Sequence, residues 1–167
     1  MKTLTQQLGQ YAAYHQDKRN ILTHFVGIPM IVAAVAVLLS RPSLEIGGWR
    51  LSPAALLVAA SVFYYLRLDR KIGLVMAALY GAALWFGDVI AGLETLSWLV
   101  WGIGLFVVGW VFQFVGHIFE GRKPAFFDDV MGLAIGPLFV VVEAGFLLGM
   151  GRKLQENMNL IAASSRS

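Results

Sequence analysis

Five apolar runs separated by short polar breaks organise the chain. They cover about residues 21–39, 53–66, 72–91, 96–119 and 130–150. A membrane-crossing helix takes roughly 20 apolar residues, so the pattern predicts five membrane helices, the second being the shortest. Arg41-Pro42-Ser43 with Gly47-Gly48, the charged stretch 67–71, Gly92-Leu93-Glu94 and the polar connection from Glu120 to Asp129 divide them. Ahead of the first run, Leu4, Leu8 and Tyr11, with Tyr14 or His15, recur at helical spacing. That predicts a short helix lying in the membrane interface, although an ordinary solvent-exposed helix would show the same spacing. The expected architecture is all-α: a polytopic membrane helical bundle of about five spans plus an N-terminal interfacial helix, forming a single integral membrane domain over 1–167.

Composition supports this reading. The 167 residues are 58% hydrophobic and only 14% charged, where soluble domains carry roughly a quarter charged residues. The absence of cysteine excludes disulfides, thiolate metal sites and cysteine nucleophiles. A net charge of +3 comes from basic residues mostly in loops and tails. There they set orientation and meet anionic membrane lipid, and they form no stripe suited to nucleic acid. With alternating spans, Lys2, Lys18, Arg19, Arg67, Arg70, Lys71, Arg122 and Lys123 share one side. Arg41, Arg50, Arg152, Lys153 and Arg166 share the other. The first side is the expected cytoplasmic one.

The same topology puts all three histidines, His15, His24 and His117, on that cytoplasmic side, in two polar segments beside long apolar runs. Polar chemistry concentrated in this way marks a functional site, and together the segments can build one metal centre. His15 and His24 are nine residues apart and would point to opposite faces of one unbroken helix. Convergence therefore needs a break, which Asn20 supplies as the expected N-cap of the first span. Gln113, His117 and Glu120 fall at i, i+4 and i+7 of the fourth span and share a face. An amide inside an apolar run, as at Gln113, is costly unless paired. His117 and Glu120 suit a ligand pair, or a ligand with a partner that orients it. The plainer alternative is a surface His15, a hydrogen-bonded interfacial His24, and a helix-end His117 beside a solvated glutamate.

Other polar residues are less telling. Asp88 and Glu143 lie toward the opposite half and could share a proton or bond Tyr80 or Trp85; structural hydrogen bonding is the simpler reading. Gly102, Gly104, Gly109, Gly132 and Gly136 read as helix-packing positions. Pro29 and Pro137 read as kinks, and Trp49, Trp85, Trp98, Trp101 and Trp110 as interface anchors and packing.

Taken together, the two polar segments resemble the signatures of a known family. Tyr14-His15, Asn20, His24-Phe25 and Gly27-Ile28-Pro29 make up the first. Gln113-Phe114, Gly116-His117, Phe119-Glu120 and Arg122-Lys123-Pro124-Ala125 make up the second. The family is the small membrane dioxygenases of fatty acid alpha-oxidation. The resemblance implies an Fe(II)-dependent enzyme that uses O2 to convert a 2-hydroxy fatty acid to an aldehyde one carbon shorter. Imidazole suits Fe(II), so His15, His24 and His117 become the expected metal ligands, with Glu120, Gln113 and Asn20 in catalytic or supporting roles. Lys18, Arg19, Arg122 or Lys123 could hold the substrate carboxylate. The resemblance places the protein in the inner membrane of a bacterium or the endoplasmic reticulum of a eukaryote, and leaves a homo-oligomer open. The competing class is a small proton-coupled membrane transporter or a helical scaffold, relying on Asp88 and Glu143.

Overall fold

The computed structural model describes residues 2–125, 128 and 130–164. Outside that description fall the side chains of Trp49 and Arg50, the connection's last residue Asp129, and Arg166, one of the expected orientation markers. Seven helices and one hairpin follow in order among the described residues: α1 (Leu4–Ala12), α2 (Lys18–Ser40), β1 (Leu44–Ile46), β2 (Trp49–Leu51), α3 (Pro53–Leu68), α4 (Arg70–Ala91), α5 (Thr95–Glu120), α6 (Gly132–Leu147) and α7 (Arg152–Ser164). Each of the five apolar runs is a helix. Three of these, α2, α4 and α5, are long and apolar enough to cross a membrane. The others, α3 and α6, have 16 residues each, about 24 Å at 1.5 Å per residue, against a hydrocarbon core of about 30 Å. Large apolar side chains such as Leu96, Val100, Ile103, Val107, Val111 and Ile118 stand exposed along α5, the surface of a membrane-associated helix rather than a wetted one.

Contacts divide the chain into two compact units. One consists of Pro29–Trp110. Its α3 begins with Ser52, whose side chain accepts from the Ala55 amide, and with Pro53, which needs no partner in the first turn. A single extended residue, Asp69, ends α3 and caps α4 by accepting from the Ile72 amide at 2.9 Å. So tight a turn requires close helices. A Cβ on Gly73 would stand 2.7 Å from the Leu66 backbone. Trp98, expected as an anchor, donates from its indole to the Val37 carbonyl at 2.8 Å. The expected loop at Gly47-Gly48 is instead the turn of the β1–β2 hairpin. Both glycines adopt positive φ, as the two-residue turn between twisted antiparallel strands requires.

The other unit joins Met1–Ile28 to Val111–Ser167. A capping box between Thr3 and Gln6 starts α1. Its buried face, Leu8, Gly9, Tyr11 and Ala12, serves contacts with α6 and α7. The α1–α7 contact is close, since a Cβ on Gly9 would lie 2.7 Å from Ile161. Helix α7 was not expected from the apolar pattern because its outer face is polar. Its signal is the narrow spacing of Leu154, Met158, Ile161 and Ala162.

Candidate metal centre

The chain breaks between His15 and His24, but not where expected. After α1, the Tyr14 and His15 amides bond the Tyr11 and Ala12 carbonyls, each at 3.0 Å, in a tight turn. Helix α2 then starts at Lys18, so Asn20 lies inside its first turn and is not the N-cap. Asp17 takes that position: its side chain accepts from the Arg19 amide at 2.8 Å and its carbonyl from the Ile21 amide. The carboxylate also favours the positive end of the helix dipole more than an amide would.

The break turns His15 back onto α2. His15, His24 and His117 are all buried, and their candidate ligand atoms lie within 4.8 Å of one another. The three rings stand steeply to each other, with interplanar angles of 70–76° and centroids 4.5, 4.9 and 5.2 Å apart. They therefore converge edge-on rather than stacking. Nδ1 of His15 meets the Tyr11 carbonyl at 2.8 Å, and Nδ1 of His24 meets the Asn20 carbonyl at 2.8 Å. A carbonyl only accepts, so each Nδ1 carries the proton and each Nε2 presents a lone pair. Yet the two Nε2 atoms are 3.0 Å apart. Two bare lone pairs at that distance need a cation between them. Burial, and then the neighbouring His24, hold the His15 pKa well below its ordinary value, which disfavours a shared proton. A metal ion fits. Nitrogens about 2.0–2.2 Å from one ion, at right angles, lie about 2.8–3.1 Å apart. Backbone acceptance at the far ring nitrogen is also how metal-bound imidazoles are usually oriented.

The surroundings hold the rings in place. Tyr11 stacks on His15 at 4.1 Å with planes 9° apart, and Phe139 of α6 lies 5.6 Å from the His15 ring. The role of Tyr11 was missed in the sequence because at helical spacing it reads only as part of an apolar stripe. Gln113 is buried on α5, one turn before His117, and its Nε2 has no partner among the described residues. Glu120 Oε2 accepts from the Gln16 amide at 2.9 Å, the Asp17 amide at 2.8 Å and Asn20 Nδ2 at 3.1 Å. Within the described residues the histidines alone form the metal-holding group.

Three of the four basic candidates already have partners. Arg19 grips Asp17 through two nitrogens, at 3.1 and 2.8 Å, and holds that carboxyl down to about 2. Lys123 pairs with Asp128 at 2.5 Å. Arg122 donates to the Ala13 carbonyl at 3.0 Å and lies over the Tyr14 ring. Lys18 is exposed. Asp88 belongs to the unit Pro29–Trp110 and Glu143 to the other. Tyr80 faces the Tyr65 hydroxyl at 3.1 Å.

Comparison with known proteins gives the family. The model of the family described as 2-hydroxy-palmitic acid dioxygenase Mpo1-like matches residues 1–147. The chain is 34% identical over 160 residues to the 2-hydroxy-palmitic acid dioxygenase MPO1 of Saccharomyces cerevisiae, covering 93% of this chain and 87% of the yeast protein. No solved structure matches it. The matched region contains both polar segments and all three histidines, and the chain belongs to the Mpo1-like family.

Proposed function

We propose that this protein is a membrane Fe(II)-dependent dioxygenase that converts long-chain 2-hydroxy fatty acids to aldehydes one carbon shorter. The observation that carries the metal is the 3.0 Å meeting of the Nε2 atoms of His15 and His24, each with its Nδ1 turned to a backbone carbonyl, beside His117. The relative from yeast, named for 2-hydroxy-palmitic acid, supports the substrate class. In the reaction the C1–C2 bond breaks, C1 leaves as carbon dioxide, the C2 hydroxyl becomes the aldehyde carbonyl, and O2 takes up the two electrons and two protons released. Three neutral imidazoles suit Fe(II), which when bound would supply sites for oxygen and for the hydroxyl and carboxylate of the substrate.

The protein groups orient and enclose. Tyr11 and Phe139 wall His15 away from water. The unpaired Gln113 amide is the donor for a substrate oxygen near His117. Asn20 and Glu120 support the ligands from behind. Lys18, exposed, and Arg122, with a guanidinium larger than its single carbonyl contact uses, receive the carboxylate more readily than Arg19 or Lys123, which are ion-paired. The acyl chain lies among apolar helices, and the histidine side faces the cytoplasm, of the inner membrane in a bacterium or the endoplasmic reticulum in a eukaryote.

The test is iron content and turnover of detergent-solubilised protein purified without chelators. Wild type is expected to hold iron and form pentadecanal from 2-hydroxypalmitate only with oxygen present. Palmitate, lacking one arm of the chelate, should react poorly. His15→Ala, His24→Ala and His117→Ala should each lose iron. Unchanged iron in all three, or equal rates on the two acids, would overturn the reading.

A further inference from the structure

We propose that Glu120 is the positioning residue of the triad: one carboxylate at the end of α5 fixes where the two N-terminal imidazoles stand relative to His117. The proposal rests on the metal reading above. Glu120 lies three residues beyond His117, on the same helix end. Its Oε2 reaches the two other ligands by separate routes. It accepts from the Gln16 amide, the residue directly after His15, and from the Asp17 amide that opens α2. It also accepts from Asn20 Nδ2, and the carbonyl of that asparagine receives His24 Nδ1 at 2.8 Å and the Thr23 hydroxyl at 2.7 Å.

Three donors on one oxygen are more than an N-cap needs. A cap requires only that an orphan amide at the helix start be satisfied, and Asp17 already does that by accepting from the Arg19 amide. Glu120 instead joins three segments through one oxygen: the 13–17 turn, the first turn of α2, and the end of α5. Bonds to an ionised acceptor are about twice as strong as neutral ones, so the link helps hold the Nε2 atoms of His15 and His24 3.0 Å apart. The closely placed candidate ligand atoms are those of the three histidines and do not include Glu120, which makes Glu120 a supporting group behind the imidazoles rather than a fourth ligand.

The experiment measures Co(II) affinity and the Co(II) visible spectrum of the full-length protein in detergent, alongside melting of the metal-free and loaded forms. The variants are Glu120→Ala, Glu120→Gln and Glu120→Asp, with the three His→Ala variants in parallel. Disturbing a group that orients metal ligands typically weakens binding about 10–100-fold. Glu120→Ala should therefore raise the Co(II) dissociation constant at least about tenfold and alter the spectrum. Glu120→Gln keeps an oxygen at the same reach, but as the weaker neutral acceptor, and should recover part of the affinity. Glu120→Asp keeps the charge but falls short by one methylene and should resemble alanine. If Glu120→Ala does not fold, the Gln–Asp comparison carries the test. Wild-type affinity and spectrum in Glu120→Ala or Glu120→Asp, with only melting lowered equally in both forms, would show a merely structural role and overturn the proposal. Loss of Co(II) in the histidine variants alongside such a result overturns this inference alone. Retention of Co(II) in the histidine variants overturns the metal reading, and this proposal with it.

Discussion

Gly116 occupies the one place on α5 where a side chain would collide with Asn20. A Cβ there would stand 2.5 Å from Asn20 Oδ1 and closer still to Thr23 Oγ1. Both neighbours are short, and both are engaged: Thr23 bonds the Asn20 carbonyl, and Asn20 Nδ2 bonds Glu120. Neither can swing aside without disturbing the carbonyl that orients His24. Gly116→Ala is therefore expected to cost about 1–3 kcal/mol, as overpacking usually does, and also to weaken metal binding. Thermal melting and Co(II) titration check both parts; an alanine variant with unchanged affinity would mean that α5 can back away without moving His117.

Gln113 carries opposite expectations for stability and for activity. Its Nε2 is buried without a partner, which costs a protein about 1–3 kcal/mol. Gln113→Leu, of similar volume, is expected to melt higher than wild type in the metal-free form. The same change removes the donor assigned to a substrate oxygen, so kcat/KM for 2-hydroxypalmitate should fall about tenfold or more. A variant that is more stable and equally active would remove Gln113 from the substrate site.

Acid should destabilise the metal-free protein through His15. Folding holds the His15 pKa below its ordinary value of 6.5, by burial and by the nearby His24. As pH drops through 6.5, the unfolded chain takes up a proton that the folded one refuses, and stability falls; above 6.5 the contribution is flat. His15→Phe preserves a ring to stack on Tyr11 but cannot titrate. Its melting temperature should decline less than that of wild type between pH 7.5 and 5.5. Parallel declines would place the pH sensitivity elsewhere.

The lack of native cysteine makes orientation directly measurable. Lys71 and Glu45 are both exposed, at opposite ends of the expected spans. In intact cells, Lys71→Cys is expected to resist a membrane-impermeant maleimide and Glu45→Cys to react. The reverse pattern would turn the histidine side outward.

The helices and the three converging histidines were legible in the sequence for different reasons. The apolar runs announced α2 to α6 because a lipid-facing helix must be hydrophobic nearly all round. The histidines stood out because polar groups are scarce there. Four features were not legible. The hairpin at Gly47-Gly48 depends on strand pairing across only two residues, which looks like any glycine loop. The N-cap is Asp17 rather than the expected Asn20; both are good caps, and the spacing alone does not choose between them. Helix α7 buries a stripe too narrow to stand out, and Tyr11 gains its importance only from the ring that stacks on it.

The triad is assembled from distant stretches of chain, and this affects how the protein is made. His15 and His24 leave the ribosome first, and His117 follows roughly 90 residues later. At about 5–20 residues per second, the first two imidazoles wait some 5–20 seconds for the third, while α3, α4 and α5 enter the membrane. Throughout that interval the nascent chain presents an incomplete chelate, of lower affinity than the finished one and open to any divalent ion in reach. If the site takes iron as proposed, metal choice is made late, after the last ligand has arrived, and a cell short of iron would accumulate inserted, mismetallated chains rather than unfolded ones.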